Sequence, residues 1–283
     1  MFLDEAVRAA KLEMRERMLK THPAAVDRMI SQAGVPPDFR AAVSRGDGGG
    51  VKVIAEVKRS SPSAGDINRT ASVADYVRRY REAGAAAVSV LTSSYKFGGE
   101  LAHLEEAARA GDGLPLLQKD FIVEPYQLLE ARAFGASAVL LISAALSLEL
   151  LQELAQLATS LDMCALVEAH DEDDLSQALE SGSQLIGINN RDLTTLEVDI
   201  RTTERMLPLI PDGFVVVSES GIKTREQVEH IEALGIDAVL IGEALMRAQD
   251  PGARLREFLG VTGDGSMTSS KEVDESCGSR SVE

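Results

Sequence analysis

Short apolar runs recur along most of the chain, and segments with helical spacing lie between them. The runs are rich in Val, Ile, Leu and Ala and occupy residues 51–57, 85–91, 115–121, 137–142, 163–169, 185–190, 214–220 and 237–242. The segments between them include SVADYVRRYREAG, EPYQLLEARAFG, DEDDLSQALESG and TREQVEHIEALG, which end in the glycine expected just past a helix. The pattern predicts a repeated unit of one strand and one helix.

Apolar strands that alternate with amphipathic helices are typical of a parallel sheet covered by helices. Eight such units fit a closed (β/α)8 TIM barrel, and the chain of 283 residues is long enough for one. We therefore expect a single barrel domain over residues 1–261. A doubly wound open sheet is the structural alternative.

The two ends of the chain do not follow the repeat. Helical spacing of apolar residues begins near the N-terminus, at Leu3, Val7, Ala10, Met14 and Met18. With a second helix predicted near 24–33, these residues predict a helical extension over about 3–33, whose apolar stripe makes ordinary core contacts. Residues 262–283 are polar, rich in Gly and Ser and aperiodic, so we expect a disordered tail.

Composition narrows the classes of function. A net charge of −16 argues against a binder of nucleic acid or of anionic membranes, and it means that an anionic substrate needs local positive groups. The first residues lack the apolar core of a secretory signal and no apolar run approaches transmembrane length, so we expect a cytoplasmic protein. Cys164 and Cys277 fit neither a disulfide framework nor a zinc pattern, and we interpret them as unpaired thiols.

At the ends of several predicted strands stand pairs of residues two positions apart, each with at least one polar member. The pairs are Glu56 with Lys58, Lys119 with Phe121, and Asn189 with Arg191. Members of a pair share one face of a strand, and charged side chains are rarely buried unless they are paired. Two other runs end in Glu168 and in Glu219 and Ser220. Because barrel active sites lie at the carboxyl ends of the strands, we expect these side chains to form one site; salt bridges along the rim are the structural alternative.

Such a site offers acid and base groups. A lysine that is desolvated or crowded by cations has a lowered pKa, while a glutamate beside a lysine stays ionised, so donors and acceptors coexist near neutral pH. Ser220–Gly221 and Gly242–Glu243 each precede a helical segment after the last two strands, where backbone N–H groups commonly hold phosphate. Asp120 and Asp192 alternate out of phase with these residues, and we expect them to cap a helix or brace a loop.

The histidines do not predict a metal site. We expect His22 and His103 on helix or loop surfaces, His230 within a helix and His170 in an exposed loop, and none has metal-ligand spacing to a cluster of Cys, Asp or Glu. Glycine-rich nucleotide motifs are also absent from the sequence, so we expect neither a metal nor a nucleotide cofactor.

Over roughly residues 3–259 the chain resembles the indole-3-glycerol phosphate synthase family. The resemblance rests on segments in family order: IAEVKRSSPSAG, LLQKDFIVEPYQLLEARAFGASAVLLI, ALVEAHDEDDL, IGINNRDLTTLEVD, VSESGIK and AVLIGEALMR. The N-terminal helices are similar to the family's extension over the barrel mouth. After the second strand this chain has the run YKFGGE, where many relatives have Lys-Tyr-Phe or Arg-Arg-Phe followed by Gly-Ser.

The resemblance implies cofactor-free ring closure of 1-(2-carboxyphenylamino)-1-deoxyribulose 5-phosphate to indole-3-glycerol phosphate, with loss of CO2 and water, in tryptophan biosynthesis. It implies that Lys119 is the general acid and that Lys58 binds anionic groups and assists the dehydration. Glu56 and Glu168 would be acidic partners, and Asn189 would orient the substrate and Lys58. Which carboxylate takes which proton stays open.

The same resemblance implies a set of binding residues around these catalytic groups. The substrate-binding positions are Ser61, Pro62, Phe97, Phe121, Arg191 and Glu219, with Phe121 beside the anthranilate ring. The phosphate-binding positions are Ser220, Gly221, Gly242 and Glu243, the last through its backbone N–H with its side chain turned away. A single small-molecule substrate and a monomer are expected.

Two other functions remain open at this point. One is a catalytically silent barrel that binds a phosphorylated metabolite or a partner protein, although such a scaffold has no need of the charged constellation. The other is a related sugar-phosphate barrel such as phosphoribosylanthranilate isomerase, which needs a Cys/Asp acid–base pair. Cys164 lies on the fifth predicted strand and not at the end of the first, which disfavours this isomerase.

Overall fold

Eight parallel strands close into a barrel in the computed structural model, which describes residues 2–46, 48–62, 65–68, 70, 72–193 and 195–261. The strands are β1 Lys52–Val57, β2 Ala87–Leu91, β3 Leu116–Lys119, β4 Ala138–Ile142, β5 Cys164–Ala169, β6 Leu185–Asn189, β7 Val215–Glu219 and β8 Ala238–Ile241. Each strand pairs in parallel with the next along the chain, and β1 also pairs with β8 from Lys52↔Ala238 to Ala55↔Ile241. The closed barrel is confirmed, and the open sheet is excluded. The predicted tail, 262–283, lies outside the described residues.

Helices cover the outside of the barrel, and further helices precede the first strand in the sequence. They are α1 Phe2–Lys20, α2 Pro23–Gln32, α3 Phe39–Val43, α4 Val73–Glu82, α5 Leu101–Gly111, α6 Pro125–Ala133, α7 Leu148–Ser160, α8 Glu172–Glu180, α9 Arg201–Met206, α10 Arg225–Leu234, α11 Glu243–Met246 and α12 Pro251–Leu259. Local sequence explains their ends. The α10 helix begins with a reciprocal capping box of Thr224 and Gln227 and ends at Gly235, whose φ of 101° suits glycine.

The strands bury side chains on both faces. The outer faces pack against the helices, while Ile54, Leu117, Leu140 and Leu166 belong to a second cluster inside the barrel. This two-sided burial explains why the strands read as continuous apolar runs.

The N-terminal extension contains two predicted helices and one that the pattern missed. The α1 helix lies at the carboxyl ends of the strands, and α2 packs on α6 through Val26 and Tyr126. The missed helix, α3, places Phe39 against the opposite end of the barrel interior. Met18, predicted to lie on the apolar stripe, is 43% exposed. None of the described helices is long and apolar enough to span a membrane.

A charged contact fastens α1 to the barrel. The guanidinium of Arg17 donates from Nε at 2.9 Å and from Nη2 at 2.9 Å to the two carboxylate oxygens of Glu130 on α6. The Glu130 side chain is only 4% exposed, and such two-point pairs fix geometry as well as charge. The contact therefore holds the last turn of α1 against α6.

Candidate active site

Two adjoining cavities open at the carboxyl ends of the strands, and every site residue predicted from the sequence lines at least one of them. We name the first the mouth cavity. Its predicted members are Glu56, Lys58, Ser61, Pro62, Phe97, Lys119, Phe121, Glu168, Asn189, Arg191 and Ser220. The second, the β7–β8 cavity, holds the remaining ones: Glu219, Gly221, Gly242 and Glu243. Because Glu56, Lys58 and Lys119 line both, the two cavities form one continuous site.

Lys119 lies at the centre of this site, between two buried carboxylates. Its Nζ donates to Glu219 Oε2 at 2.7 Å and to Glu168 Oε2 at 3.0 Å. Glu168 and Glu219 come from β5 and β7 and are 2% and 1% exposed. Three strands that are distant in sequence thus deliver one ammonium and two carboxylates to the same point.

This arrangement contradicts the expectation that a lysine in the site has a lowered pKa. Burial opposes the charge on Lys119, but the carboxylates of Glu168, Glu219 and Glu56 outweigh it and raise the pKa of Lys119 above its usual range. The pKa of Glu168 is held well below its usual range, because Lys119 and His170 outweigh the effect of burial. Burial, reinforced by the charge of Glu168, raises the pKa of Glu219 to about 7 despite the nearby lysine. The group poised near neutral pH is therefore a carboxylate and not a lysine.

A second ion pair stands beside the first. Lys58 Nζ lies 2.7 Å from Glu56 Oε1, and the Glu56 side chain is 2% exposed. Glycines make room for the buried acids: a Cβ on Gly242 would overlap Glu56 Oε1, and one on Gly187 would overlap Glu219 Oε1. Glycine is therefore required at both positions by close approach of a functional side chain.

The loop after β6 is shaped by two asparagines that point in different directions. Asn189 lines the mouth cavity, and its Oδ1 accepts a hydrogen bond from the Arg191 backbone N–H at 3.0 Å. Asn190 is buried and donates from Nδ2 at 3.1 Å both to Ser218 Oγ and to the Ser220 carbonyl. Sequence reasoning missed Asn190, which ties the β6 loop to the β7 loop; its position between Asn189 and Arg191, on the opposite strand face, was the available signal.

The two aspartates expected to be structural do brace loops. Asp120 is buried and accepts from Thr92 Oγ1 at 2.6 Å and from the Phe121 N–H at 2.8 Å. Asp192 accepts from the Thr195 N–H at 2.8 Å. The predicted apolar run 115–121 is correspondingly too long, because β3 ends at Lys119 and Phe121 lies on the loop that Asp120 holds.

The β7–β8 cavity combines backbone amides with basic side chains. Ser220 has φ 67° and Gly221 φ 88°, so the chain turns through left-handed conformations immediately after β7. Glu243 begins α11, and its carboxylate accepts from Arg247 Nε at 2.9 Å. The cavity wall also carries basic residues: Arg191, Lys223, Arg247 and Arg254. A strongly acidic chain thus concentrates positive charge where an anion would enter.

An aromatic wall closes the other side of the mouth cavity, and α1 contributes to it. The ring centroid of Phe2 lies 6.1 Å from that of Phe121, 6.4 Å from Phe97 and 6.2 Å from Tyr95. Phe97 and Phe121 are themselves 6.2 Å apart. Sequence reasoning gave α1 only core contacts and missed Phe2, whose contact partners all follow distant strands.

Two histidines differ from expectation. His170 was predicted in an exposed loop, but its side chain is only 8% exposed, with Nε2 3.0 Å from Glu168 Oε1. His103 was predicted on a surface, but it is 5% exposed because it lies on the inner face of α5. His22 caps α2 by accepting from the Ala24 N–H, and His230 pairs with Glu204 on the outer helices. Within the described ranges, no three His, Cys, Asp or Glu side chains are grouped to hold a metal ion.

Fold and site together define a (β/α)8-barrel enzyme with an acid–base cluster at the carboxyl ends of its strands. The family model for indole-3-glycerol phosphate synthase matches residues 3–258, and the chain belongs to that family. Among similar proteins is the indole-3-glycerol phosphate synthase of Dehalococcoides mccartyi strain CBDB1, 44% identical over 92% of this chain and 100% of the relative. Another is that of Burkholderia multivorans, 45% identical over 89% of this chain and 97% of the relative.

Solved structures agree on the architecture. The 3-hexulose-6-phosphate synthase of Salmonella typhimurium superposes with a TM-score of 0.59 at 14% identity, covering 74% of this chain and 96% of that one. A mutant tryptophan synthase alpha-subunit from Pyrococcus furiosus gives 0.57 at 15% identity, covering 74% of this chain and 98% of that one. At these identities the likeness concerns the barrel fold alone.

Proposed function

We propose that this chain catalyses the ring closure of 1-(2-carboxyphenylamino)-1-deoxyribulose 5-phosphate to indole-3-glycerol phosphate, a carboxy-lyase step of tryptophan biosynthesis. Membership of the family over residues 3–258 supports the reaction. The observation that carries the chemistry is Lys119, bound to two buried carboxylates in a cavity with aromatic walls on one side and basic walls on the other. No cofactor is required by this proposal.

The two cavities match the two ends of the substrate. The phosphate binds in the β7–β8 cavity, at the backbone N–H groups of Ser220, Gly221, Gly242 and Glu243. The anthranilate ring packs against Phe97 and Phe121 in the mouth cavity. Lys119 lines both cavities, so the sugar carbons that link the two ends pass its ammonium group.

Lys119 then acts on the carbonyl oxygen. As the aromatic carbon that bears the carboxylate attacks the sugar carbonyl, the carbonyl oxygen gains negative charge. An alkoxide is a stronger base than an amine, so Lys119 can give up its proton to this oxygen even with a raised pKa. The bond between this ring carbon and its carboxylate then breaks and CO2 leaves. The electrons of that bond restore the aromaticity of the ring.

Loss of water completes the indole. The new hydroxyl accepts a proton and leaves as water. A second proton leaves the intermediate as the double bond forms. Lys58, paired with Glu56, lies beside the reacting carbons and assists this dehydration. Glu168 and Glu219 are the remaining acidic groups beside Lys119.

The other site residues bind and orient the substrate. Asn189 orients both the substrate and Lys58. Ser61, Pro62 and Arg191 contact the substrate from the rim of the mouth cavity. We further propose a cytoplasmic monomer in which residues 1–261 form one domain. Its only partner is the small-molecule substrate, with no nucleic acid or membrane involved.

The direct test is incubation of the purified protein with the carboxyphenylamino-deoxyribulose phosphate while indole fluorescence is followed. We expect fluorescence to rise without added metal or nucleotide, and Lys119→Ala to lower kcat by about 10²- to 10⁴-fold, the usual contribution of one positioned proton donor. Circular dichroism establishes that the variant is folded. A flat trace from folded wild-type protein would refute the proposed activity.

A further inference from the structure

The imidazole of His170 is enclosed between two carboxylates. Its Nε2 lies 3.0 Å from Glu168 Oε1, and its Nδ1 lies 3.1 Å from Asp174 Oδ2. The backbone N–H of His170 donates to the same Asp174 oxygen at 3.1 Å. Asp174, on the first turn of α8, therefore holds both the backbone and the ring of His170.

Glu168 divides its two oxygens between opposite neighbours. Oε1 faces His170, and Oε2 accepts from Lys119 Nζ at 3.0 Å. A carboxylate with a charged partner on each oxygen is fixed in orientation as well as in charge. The contacts thus run without interruption from Asp174 on an outer helix to the lysine at the centre of the site.

We propose that His170, braced by Asp174, is a positioning residue that keeps Glu168 ionised and aimed at Lys119. The inference rests on the proposed ring-closing activity of this site. His170 lines neither the mouth cavity nor the β7–β8 cavity of the described chain, so it acts through Glu168 and not on the substrate.

The charges around the ring favour its protonated form. Burial opposes protonation, but Asp174 from α8 and Glu168 from β5 outweigh it and raise the pKa of His170 to about 10. The short turn Ser143–Ala145, which packs on α8, carries no titratable side chain. The acids of the neighbouring α7, Glu149 and Glu153, are exposed to solvent. His170 is therefore an imidazolium through neutral pH.

One consequence concerns the division of work between the two acids beside Lys119. Glu168 is locked as an anion by a cation on each side, so it does not change protonation near neutral pH. Glu219 contacts Lys119 through Oε2 and has its pKa raised to about 7, so it can change protonation near neutral pH. Glu168, with Lys119 on one oxygen and His170 on the other, is therefore the acid that orients Lys119.

Two substitutions separate positioning from simple packing. In His170→Gln the amide nitrogen takes the place of Nε2 beside Glu168 Oε1, whereas in His170→Asn it reaches only the place of Nδ1. We expect the Asn variant to lose about 10- to 100-fold in kcat, as small displacements of catalytic groups do, with KM changed less than about twofold. The Gln variant should retain most of the wild-type kcat. His230→Asn, the same change at an exposed histidine paired with Glu204, is the matched control.

The pH profile supplies a readout that packing alone would not move. Asp174→Asn removes one of the carboxylates that raise the His170 pKa, so we expect the ratio of this variant's kcat to the wild-type kcat to fall as pH rises from about 6 to about 9. Equal kcat losses in the Gln and Asn variants, with an unshifted profile and a lower Tm, would mean a structural role and overturn the inference.

A measurement that does not depend on turnover keeps the inference distinct from the proposed activity. The ring protons of His170 are followed by NMR as the pH is raised, in wild type and in Asp174→Asn. A ring still protonated at pH 8 in wild type, with its midpoint lowered in Asp174→Asn, supports the inference. A wild-type midpoint near the ordinary value of about 6.5 refutes it. Failure of the proposed activity would instead appear as wild-type protein that leaves the substrate unchanged.

Discussion

The carboxylate of Glu56 occupies the space that a side chain on Gly242 would fill. The contact joins the last residue before α11 to the acid that holds Lys58. Gly242 thus lines the β7–β8 cavity and also leaves room for Glu56.

Replacement of this glycine should disturb catalysis more than folding. In Gly242→Ala the added methyl group pushes Glu56 away from Lys58, and we expect kcat/KM to fall roughly 10- to 100-fold, as small displacements of catalytic groups do. Overpacking should lower the free energy of unfolding by about 1–3 kcal/mol. Steady-state kinetics and urea unfolding measure the two effects. Gly34→Ala is the control, because no atom lies within 4 Å of its added Cβ; equal behaviour of the two variants would contradict the prediction.

Glu219 should make the stability of the protein depend on pH. Its pKa is raised from 4.5 to about 7 in the folded state, so the folded protein keeps a proton that the unfolded chain releases. Its contribution is complete below about pH 4.5 and is lost as pH rises through about 7. Between pH 5 and 8 we expect the unfolding free energy of wild type to fall by about 1–3 kcal/mol relative to Glu219→Gln. Urea unfolding at each pH measures this, with Glu153→Gln as an exposed control; a constant difference would disprove the assignment.

Phe2 should affect substrate affinity. Its ring contacts Phe97 and Phe121, and aromatic pairs contribute about 0.5–1.5 kcal/mol each beyond buried area. We expect Phe2→Ala to raise KM about tenfold and to change kcat less, with Phe2→Leu intermediate. Leu19→Ala, at the far end of the same helix and 89% exposed, should leave both constants unchanged. A KM for Phe2→Ala equal to that of wild type would remove the ring from substrate binding.

The Arg17–Glu130 pair should stabilise the protein more than surface pairs do. Glu130→Gln leaves Arg17 without its charged partner in a partly buried contact, and we expect a loss of about 1–3 kcal/mol in unfolding free energy. Glu105→Gln breaks the exposed Arg109–Glu105 pair and should cost less than about 0.5 kcal/mol. Urea titration of both variants against wild type decides; losses of the same size would show that burial of the pair adds nothing.

Much of the site could be predicted because it depends on local geometry. Alternation along a strand puts Glu56 and Lys58 on one face, and the carboxyl ends of parallel strands meet at one end of a barrel. Those two rules bring Lys119, Glu168 and Glu219 near one another without any knowledge of the three-dimensional contacts.

The remainder depends on contacts across the barrel, which no local pattern encodes. Which carboxylates reach Lys119 follows from how the strands are staggered when the barrel closes, and those carboxylates reverse the expected direction of the lysine pKa. His170 was misplaced because a polar stretch follows it, although Asp174 stands one helical turn later and turns back to bind it. Phe2 was missed because its ring partners Tyr95, Phe97 and Phe121 lie more than 90 residues further along the chain.

The Arg17–Glu130 pair holds the last turn of α1 on the barrel, and Phe2 at the start of the same helix lines the mouth cavity. A shortened version that keeps only the strands and their covering helices would lose the Phe2 ring from the aromatic wall of the mouth cavity. Anyone who redesigns this scaffold for another aromatic acceptor should treat the opening twenty residues and the strand ends as a single engineering unit.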